Sequence, residues 1–231
     1  NAPYSYQIKG NIERQHNDMQ AARVQYQKMV EVAEKTESTS LGAGYNLIAH
    51  SYLFSGDYQQ ARKNYDQAAL RSSNKYSKIS YGEFGVWSYL YEQDYEGAIK
   101  AADALDQQVD NYDFSANEIL GYKANNQFTK FIAHAHNKNK TGAYNAMQAN
   151  FGLREENLSL NTDKDDVTLR NYNTFNAWME SWYYVLFNET KNAQRSLEDL
   201  YAFVKDLQNP DALDGYHSLS GMLSLSNGDA E

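Results

Sequence analysis

The sequence contains no cysteine and only two prolines among its 231 residues. The absence of cysteine excludes disulfide bonds and thiolate metal ligands. Because proline interrupts helices, its scarcity leaves long stretches of the chain free to be helical. No apolar run approaches the roughly 20 residues that a membrane-spanning helix requires. The longest such run, residues 182–187, is far too short.

Basic residues are outnumbered and do not cluster. Lys and Arg total 21 against 30 Asp and Glu, which gives a net charge of −9. Phosphate binding needs grouped Lys and Arg, so the composition argues against nucleic acid and anionic membrane as partners. The sequence begins without Met and without a recognisable signal peptide. We therefore expect a processed chain or a fragment, and the compartment stays open between cytoplasm and periplasm.

No arrangement of residues indicates catalysis. The sequence has no glycine-rich phosphate loop, no nucleophile elbow and no isolated carboxylate pair in apolar surroundings. His134 and His136 are two residues apart, which on a helix separates their directions by about 200°. The acidic run at 163–166 lacks the Gly and the closing Glu of a calcium loop. We therefore expect no catalytic residues, no bound metal ion and no cofactor.

What the sequence has instead is a recurring pattern of aromatic and small residues. It is clearest over residues 45–68, where the pattern consists of Tyr45, Ile48, Ala49, Tyr52, Ala61, Tyr65 and Ala68. This segment resembles one whole tetratricopeptide repeat, which is a pair of packed helices. Gly56 suits the turn between the two helices, and Asp57 suits the N-cap of the second. The proline that the family has after the second helix is absent, and Ser73 stands near its place.

The alanine of the second helix recurs along the chain. It occurs as Ala22, Ala61, Ala98, Ala143 and Ala193, which are 39, 37, 45 and 50 residues apart. The standard repeat has about 34 residues. The resemblance is strongest over 42–105, fair over 4–40 and weakest after 115. We expect Ala22, Ala61 and Ala98, and likewise Ala193, to be buried where paired helices touch, because only a small side chain permits that approach.

The resemblance implies an all-α fold. It would be a right-handed superhelical solenoid of about five tetratricopeptide-like helix pairs plus a truncated C-terminal repeat. We expect a single domain over residues 1–231, as part of a longer chain. The spacing predicts helices at about 4–16, 18–35, 41–55, 58–71, 76–92, 95–108, 116–137, 140–151, 169–188 and 190–207, with a further helical segment from Gly215. Longer connections are predicted at 109–115, 161–166 and 209–211.

The resemblance also implies a binding surface. In tetratricopeptide arrays the first helix of each pair lines a concave groove. The corresponding residues here are Asn46, His50, Phe54, Glu83, Trp87, Tyr91, Phe128, Ile132, His136, Phe175, Trp178 and Trp182. A groove so rich in aromatic side chains would suit a peptide or a partner helix. An error of one residue in this alignment would bury several of them, so a core position stays open for Trp87 and Trp182 and is favoured for Phe128.

The function implied by the resemblance is that of a non-catalytic protein–protein interaction module. Two alternatives stay open: a scaffold or sensor segment of a larger enzyme or signalling protein, and a small-ligand-binding helical repeat with a closed pocket. A carboxylate clamp for acidic chaperone tails would need Lys, Asn and Arg at the places occupied by Gln7, Asn11, Leu47, Ser80 and Phe84. Only Asn11 fits, so we do not expect such tails as partners.

Overall fold

The chain is described by a computed structural model over residues 2–160, 165–207 and 210–228. Within these ranges it is helical and contains no strand, which confirms the predicted all-α class. The elements are α1 (Ala2–Gln15), α2 (Met19–Lys35), α3 (Leu41–Phe54), α4 (Tyr58–Arg71), α5 (Lys75–Glu92), α6 (Tyr95–Val109), α7 (Ala116–His136), α8 (Lys140–Leu160), α9 (Asp166–Leu186), α10 (Thr190–Val204), a 3-10 helix (Pro210–Leu213) and α11 (Asp214–Asn227).

Helix α8 differs most from its predicted bounds. The prediction ended it near residue 151, whereas it continues to Leu160. Its added turns contain Leu, Arg and Glu, which favour helix. They also make tertiary contacts, because Asn157 Nδ2 donates to the carbonyl oxygen of Asn117 on α7 over 2.7 Å.

The predicted connections fall partly on residues outside the described ranges. Residues 161–164, which include the start of the acidic run, and residues 208–209 lie there. The described end of the acidic run has a structural role, because Asp165 caps α9 and its Oδ1 accepts from the Thr168 N–H over 2.7 Å. Hydrogen bonds from the side chain of Thr168 and from its N–H lower the pKa of Asp165. Helix α10 ends at Val204, three residues before its predicted end. Of the turn predicted at 209–211, the described residues 210 and 211 begin the 3-10 helix.

Five turns in the described part of the chain share one backbone geometry. Each contains a residue in the left-handed region, two positions before the first residue of the next helix: Asn17, Gly56, Gln93, Lys138 and Asn188. In each turn the following N–H donates to the carbonyl oxygen five residues earlier, over 2.9–3.0 Å. The geometry of this turn is therefore as regular in the C-terminal copies as in the N-terminal ones.

The five recurring alanines are all fully buried. Each donates its N–H to the carbonyl oxygen of the residue that caps its helix, as Ala61 does to Asp57 over 3.0 Å. The predicted burial of Ala22, Ala61, Ala98 and Ala193 is thus confirmed. Ala143 occupies the same place in the fourth pair.

Replacing Ala61 by leucine is expected to lower the free energy of unfolding by about 1–3 kcal/mol, because the site is already filled. Ala61 packs with Ala49 of α3 and Tyr65 of α4. Chemical denaturation followed by circular dichroism measures the change. The matched control is Gln59→Leu, which adds the same side chain at an exposed position of α4. Equal stability of the two variants would contradict the packing role of Ala61.

The chain divides into two compact units, Asn1–Asp113 and Phe114–Glu231. The single domain expected over 1–231 stays a prediction. In the first unit, helices α1 to α6 pack in succession. Two arginines at the same repeat position stack on tyrosines of the next pair: Arg23 over Tyr52 at 4.6 Å and Arg62 over Tyr89 at 4.1 Å. These contacts tie successive helix pairs together.

The second unit contains α7 to α11. Its core has two neighbouring clusters, one of which includes Phe131, Met147 and Met179. The other includes Leu197 and Leu219, with further side chains of α9, α10 and α11. None of the described helices combines the length and the apolar character needed to cross a membrane.

Candidate functional site

The described residues contain no group of three or more His, Asp or Glu side chains that could hold a metal ion. His134 and His136 lie on different sides of α7, as their spacing predicted. His134 is half-buried and packs over Gly142, whereas His136 is exposed.

An exposed aromatic surface lies on α3 and α5 in the first unit. Phe54 on α3 and Tyr91 on α5 are 60% and 59% exposed, and Phe84 and Trp87 on α5 are 38% and 36% exposed. Positions 84, 87 and 91 share one side of α5 because residues three and four apart are neighbours on a helix. We call His50, Phe54, Phe84, Trp87 and Tyr91 the α3–α5 aromatic face.

His50 of α3 contacts both α5 and α4 through its ring. Its ring centroid lies 4.8 Å from that of Phe84 and 5.4 Å from that of Tyr65, both in edge-on geometry. The Nδ1 atom of His50 and the hydroxyl oxygen of buried Tyr65 are 2.7 Å apart, a hydrogen-bond distance. This contact holds one wall of the aromatic face in place against the repeat core.

The surroundings of His50 favour its neutral form. Burial lowers the pKa of His50 below its ordinary 6.5, and the positive charge of Arg14 lowers it further. Burial raises the pKa of Tyr65, so its hydroxyl keeps its proton. When the neutral ring carries its proton on Nε2, its Nδ1 accepts a hydrogen bond from the Tyr65 hydroxyl.

We expect acid to destabilise the fold through His50. Because the pKa of His50 is lower in the folded chain, the unfolded chain binds the proton at a higher pH. The stability that neutral His50 contributes is therefore complete above about pH 6.5 and is lost as the pH falls through and below that value. Urea unfolding between neutral and mildly acidic pH measures the loss. His50→Gln, which cannot titrate, should lose less stability over that interval than the parent chain. Parallel losses in the two proteins would exclude His50 as the cause.

Two further residues of the predicted groove adjoin this face. Asn46 lies one turn before His50 on α3 and is half-buried, and within the described residues its Oδ1 is buried without a hydrogen-bond partner. Glu83 lies one turn before Trp87 on α5 and is half-buried. The sequence prediction missed Phe84 as a member of the face, although its spacing of three residues from Trp87 would have indicated it.

The predicted groove residues of the second unit form a cluster of packed rings. The centroid of Trp182 lies 5.3 Å from buried Phe131 and 5.2 Å from Trp178. Phe128 lies 5.9 Å from Phe175 and 6.0 Å from Trp178. All except Phe131 are half-buried, and so is Ile132. For Trp87 and Trp182 the sequence left open both a groove position and a core position. Trp87 is the more exposed of the two, while Trp182 contributes to packing.

Two polar residues have notable contacts, Asn11, which was named from the sequence, and Arg154, which was not. Asn11, the one residue that fits a carboxylate clamp, accepts a hydrogen bond at Oδ1 from the Tyr26 hydroxyl over 2.8 Å. In the second unit, the Arg154 guanidinium stacks on the ring of Phe175 at 4.1 Å. Burial lowers the pKa of Arg154.

Comparison with known structures settles the fold. A crystal structure of a Podospora anserina protein assigned as a kinesin light chain, with nearly identical TPR-like repeats, matches with a TM-score of 0.61. The match covers 89% of this chain and 97% of that chain at 15% sequence identity. The chain has a tetratricopeptide-like repeat fold. No protein-family model matches the sequence, and no curated protein matches it. At this identity the tetratricopeptide-like structure is evidence for the fold alone.

Proposed function

We propose that this chain is a non-catalytic protein–protein interaction module whose α3–α5 aromatic face binds a peptide or protein segment. The observation that carries the proposal is the exposure of four large aromatic side chains, Phe54, Phe84, Trp87 and Tyr91, on neighbouring first helices. Aromatic side chains are enriched at the centres of protein interfaces because they bury much area with few rotatable bonds. A tetratricopeptide-like fold supports such a role.

An extended partner suits this face better than a small molecule. Small-ligand sites are concave and enclose most of the ligand surface. The side chains of Phe54 and Tyr91 are instead more than half exposed. A segment that lies across α3 and α5 would cover them and would use the ring of Trp87 as an anchor.

The charge of the chain favours a partner that is apolar with some positive charge. The net charge is −9, and Glu83 lies one turn from Trp87. Like charges brought together at an interface oppose binding, so an acidic segment would be disfavoured. The same charge argues against nucleic acid, whose binding needs clustered cations.

Selection from a random-peptide display library tests this proposal. We expect the selected peptides to be enriched in aromatic residues and in Lys or Arg. Their binding should be lost with the double variant Trp87→Ala/Tyr91→Ala and retained with Leu70→Ala, which removes an exposed apolar side chain from α4, the second helix of the preceding pair. Peptides that bind the double variant as tightly as the parent chain would refute the proposed site.

A further inference from the structure

The second unit contains a cavity of about 270 Å³ between α9, α10, the 3-10 helix and α11. Its surface is mainly apolar, and three aromatic side chains line it, Phe175, Trp178 and Tyr216, together with Leu200 of α10. The cavity opens to solvent, so a molecule can enter it from outside. It belongs to the second unit, whereas the α3–α5 aromatic face belongs to the first.

The aromatic walls of this cavity are held in place by their neighbours. A Cβ atom at Gly215 would lie 3.0 Å from Cδ1 of Trp178, so glycine lets the α11 backbone lie against the edge of the indole. The centroid of Trp178 also lies 5.2 Å from that of Trp182. The ring of Tyr216 lies 5.0 Å from that of Tyr201. The walls are therefore formed before a ligand enters, as is usual for small-molecule sites.

The size and the walls of the cavity define what fits it. An apolar cavity of about 150 Å³ is enough to hold benzene, and pockets for drug-sized ligands have volumes of about 300–1,000 Å³. This cavity therefore has room for one ring with a small substituent. Aromatic walls favour an aromatic ring, because offset and edge-to-face ring contacts add to the burial of apolar area.

The lining disfavours an ionised ligand. Among the described residues, no side chain that lines the cavity carries a formal charge. An ionised group would therefore leave water for mainly apolar surroundings without a paired charge, which is unfavourable. The Arg154 guanidinium stacks on the ring of Phe175 at 4.1 Å, and its positive charge disfavours a cation further. Because Arg154 is not a lining residue, an anion inside the cavity would not pair with it directly.

Two polar side chains of α9 select for a single polar substituent. Asn171 and Thr174 line the cavity and lie three residues apart, on the same side of the helix. They supply an amide and a hydroxyl as hydrogen-bonding groups. A monosaccharide carries several hydroxyl groups, most of which would lose their hydrogen bonds to water here without replacement. An aromatic ring with one polar substituent therefore fits better than a sugar.

We propose that this cavity is a binding site for a small neutral aromatic molecule, a single ring that carries one uncharged hydrogen-bonding group. The ring packs beside Trp178 and Tyr216, and its polar group bonds to Asn171 or Thr174. This site would give the chain a small-ligand function in addition to the protein–protein interaction proposed for the α3–α5 aromatic face.

Titration of the 15N-labelled full chain with phenylacetamide tests the class of ligand. We expect saturable shifts of the Gly215 amide and the Trp178 indole N–H. Phenylacetate and phenethylammonium carry the same ring with opposite charges, and each should bind about tenfold or more weakly, because the cavity pairs neither charge. Cyclohexylacetamide keeps the amide but lacks the aromatic ring, and it should bind at least about twofold more weakly.

The same titrations can refute the proposal. Absence of saturable shifts with phenylacetamide would overturn it, and so would equal or tighter binding of either ionised analogue or of cyclohexylacetamide. Methyl glucoside is the sugar probe. Tighter binding of this probe than of phenylacetamide would indicate a sugar site and would also overturn the proposal.

Two cavity-filling variants test the location. Ala212→Phe adds a ring at a lining position of the 3-10 helix, and Thr174→Phe does so on α9. Each should weaken phenylacetamide binding about tenfold or more while the thermal unfolding midpoint stays close to that of the parent. Ser218→Phe adds the same ring at an exposed position of α11 and should bind like the parent. Unchanged binding by a folded cavity variant would overturn the assignment.

The two proposed sites can fail independently. Trp87→Ala alters only the α3–α5 aromatic face and should leave the affinity for phenylacetamide unchanged. A loss of phenylacetamide binding in Trp87→Ala would place this molecule on that face and would overturn the cavity proposal. Retained binding in Trp87→Ala, with loss in Ala212→Phe, is the expected result.

Discussion

Replacing Phe131 by alanine is expected to lower the free energy of unfolding by about 3–5 kcal/mol. The side chain of Phe131 is fully buried in the second unit. Its ring centroid lies 5.3 Å from that of Trp182 and 6.4 Å from that of Phe128, and it shares a cluster with Met147 and Met179. Truncation would remove the ring and leave a cavity among neighbours that are already packed.

Equilibrium denaturation followed by far-ultraviolet circular dichroism measures this loss. The control is Phe54→Ala, the same truncation at a position that is 60% exposed. Surface substitutions usually change stability by no more than about 0.5 kcal/mol, so the control should unfold close to the parent. A Phe131→Ala variant as stable as the Phe54→Ala variant would contradict the assignment of Phe131 to the core.

Replacing Trp87 by alanine is expected to cost about 2–4 kcal/mol of binding to a selected partner peptide, because an indole at the centre of an interface is a common energetic anchor. The same substitution should affect folding far less than loss of a buried ring. Trp87 is 36% exposed in the free chain, so part of its surface contributes nothing to the folded core. Binding and stability should therefore separate at this residue.

Isothermal titration calorimetry with the peptide measures the binding loss, and denaturation of the same preparation measures stability. Leu70→Ala is the control, since Leu70 is exposed on α4 and lies outside the aromatic face. We expect Leu70→Ala to keep the parent affinity. A Trp87→Ala variant that binds like the parent, or that fails to bind only because it is unfolded, would remove Trp87 from the interface.

The helix pairs were predictable because residues close together in the sequence determine the repeat. Ala61 and Tyr65 mark the second helix of a pair, and Gly56 marks the turn before it. The same turn is formed elsewhere by Lys138 and Asn188, which adopt the left-handed conformation without being glycine. Those copies look weaker in sequence than they are in structure, because the backbone geometry is set by hydrogen bonds and not by residue type.

Features that depend on contacts between distant residues were not predictable. The extra turns of α8 are supported by Asn157, which bonds to α7, and by Arg154, which stacks on α9. Local sequence contains neither contact. The predicted end of this helix was therefore wrong, whereas the bounds of α4, whose N-terminus is capped locally by Asp57, agreed with the prediction.

In the candidate site, too, the positions of residues on helices were predictable and their contacts with distant residues were not. The resemblance to tetratricopeptide repeats predicted that Phe54, Trp87 and Tyr91 lie on first helices. It did not predict the His50–Tyr65 hydrogen bond, because that bond depends on how α3 and α4 pack. It also did not distinguish exposed Trp87 from half-buried Trp182, since the difference comes from the rings that surround Trp182 in the second unit.

The most direct test of the proposed function is to map where a selected peptide binds. Titration of the 15N-labelled chain with the peptide would follow every resolved amide and the three tryptophan indoles. We expect the largest shifts on α3 and α5, around Phe54, Trp87 and Tyr91, with the Trp87 indole N–H among them. Shifts confined to the opposite surfaces of α2 and α4, with the Trp87 indole unchanged, would contradict it.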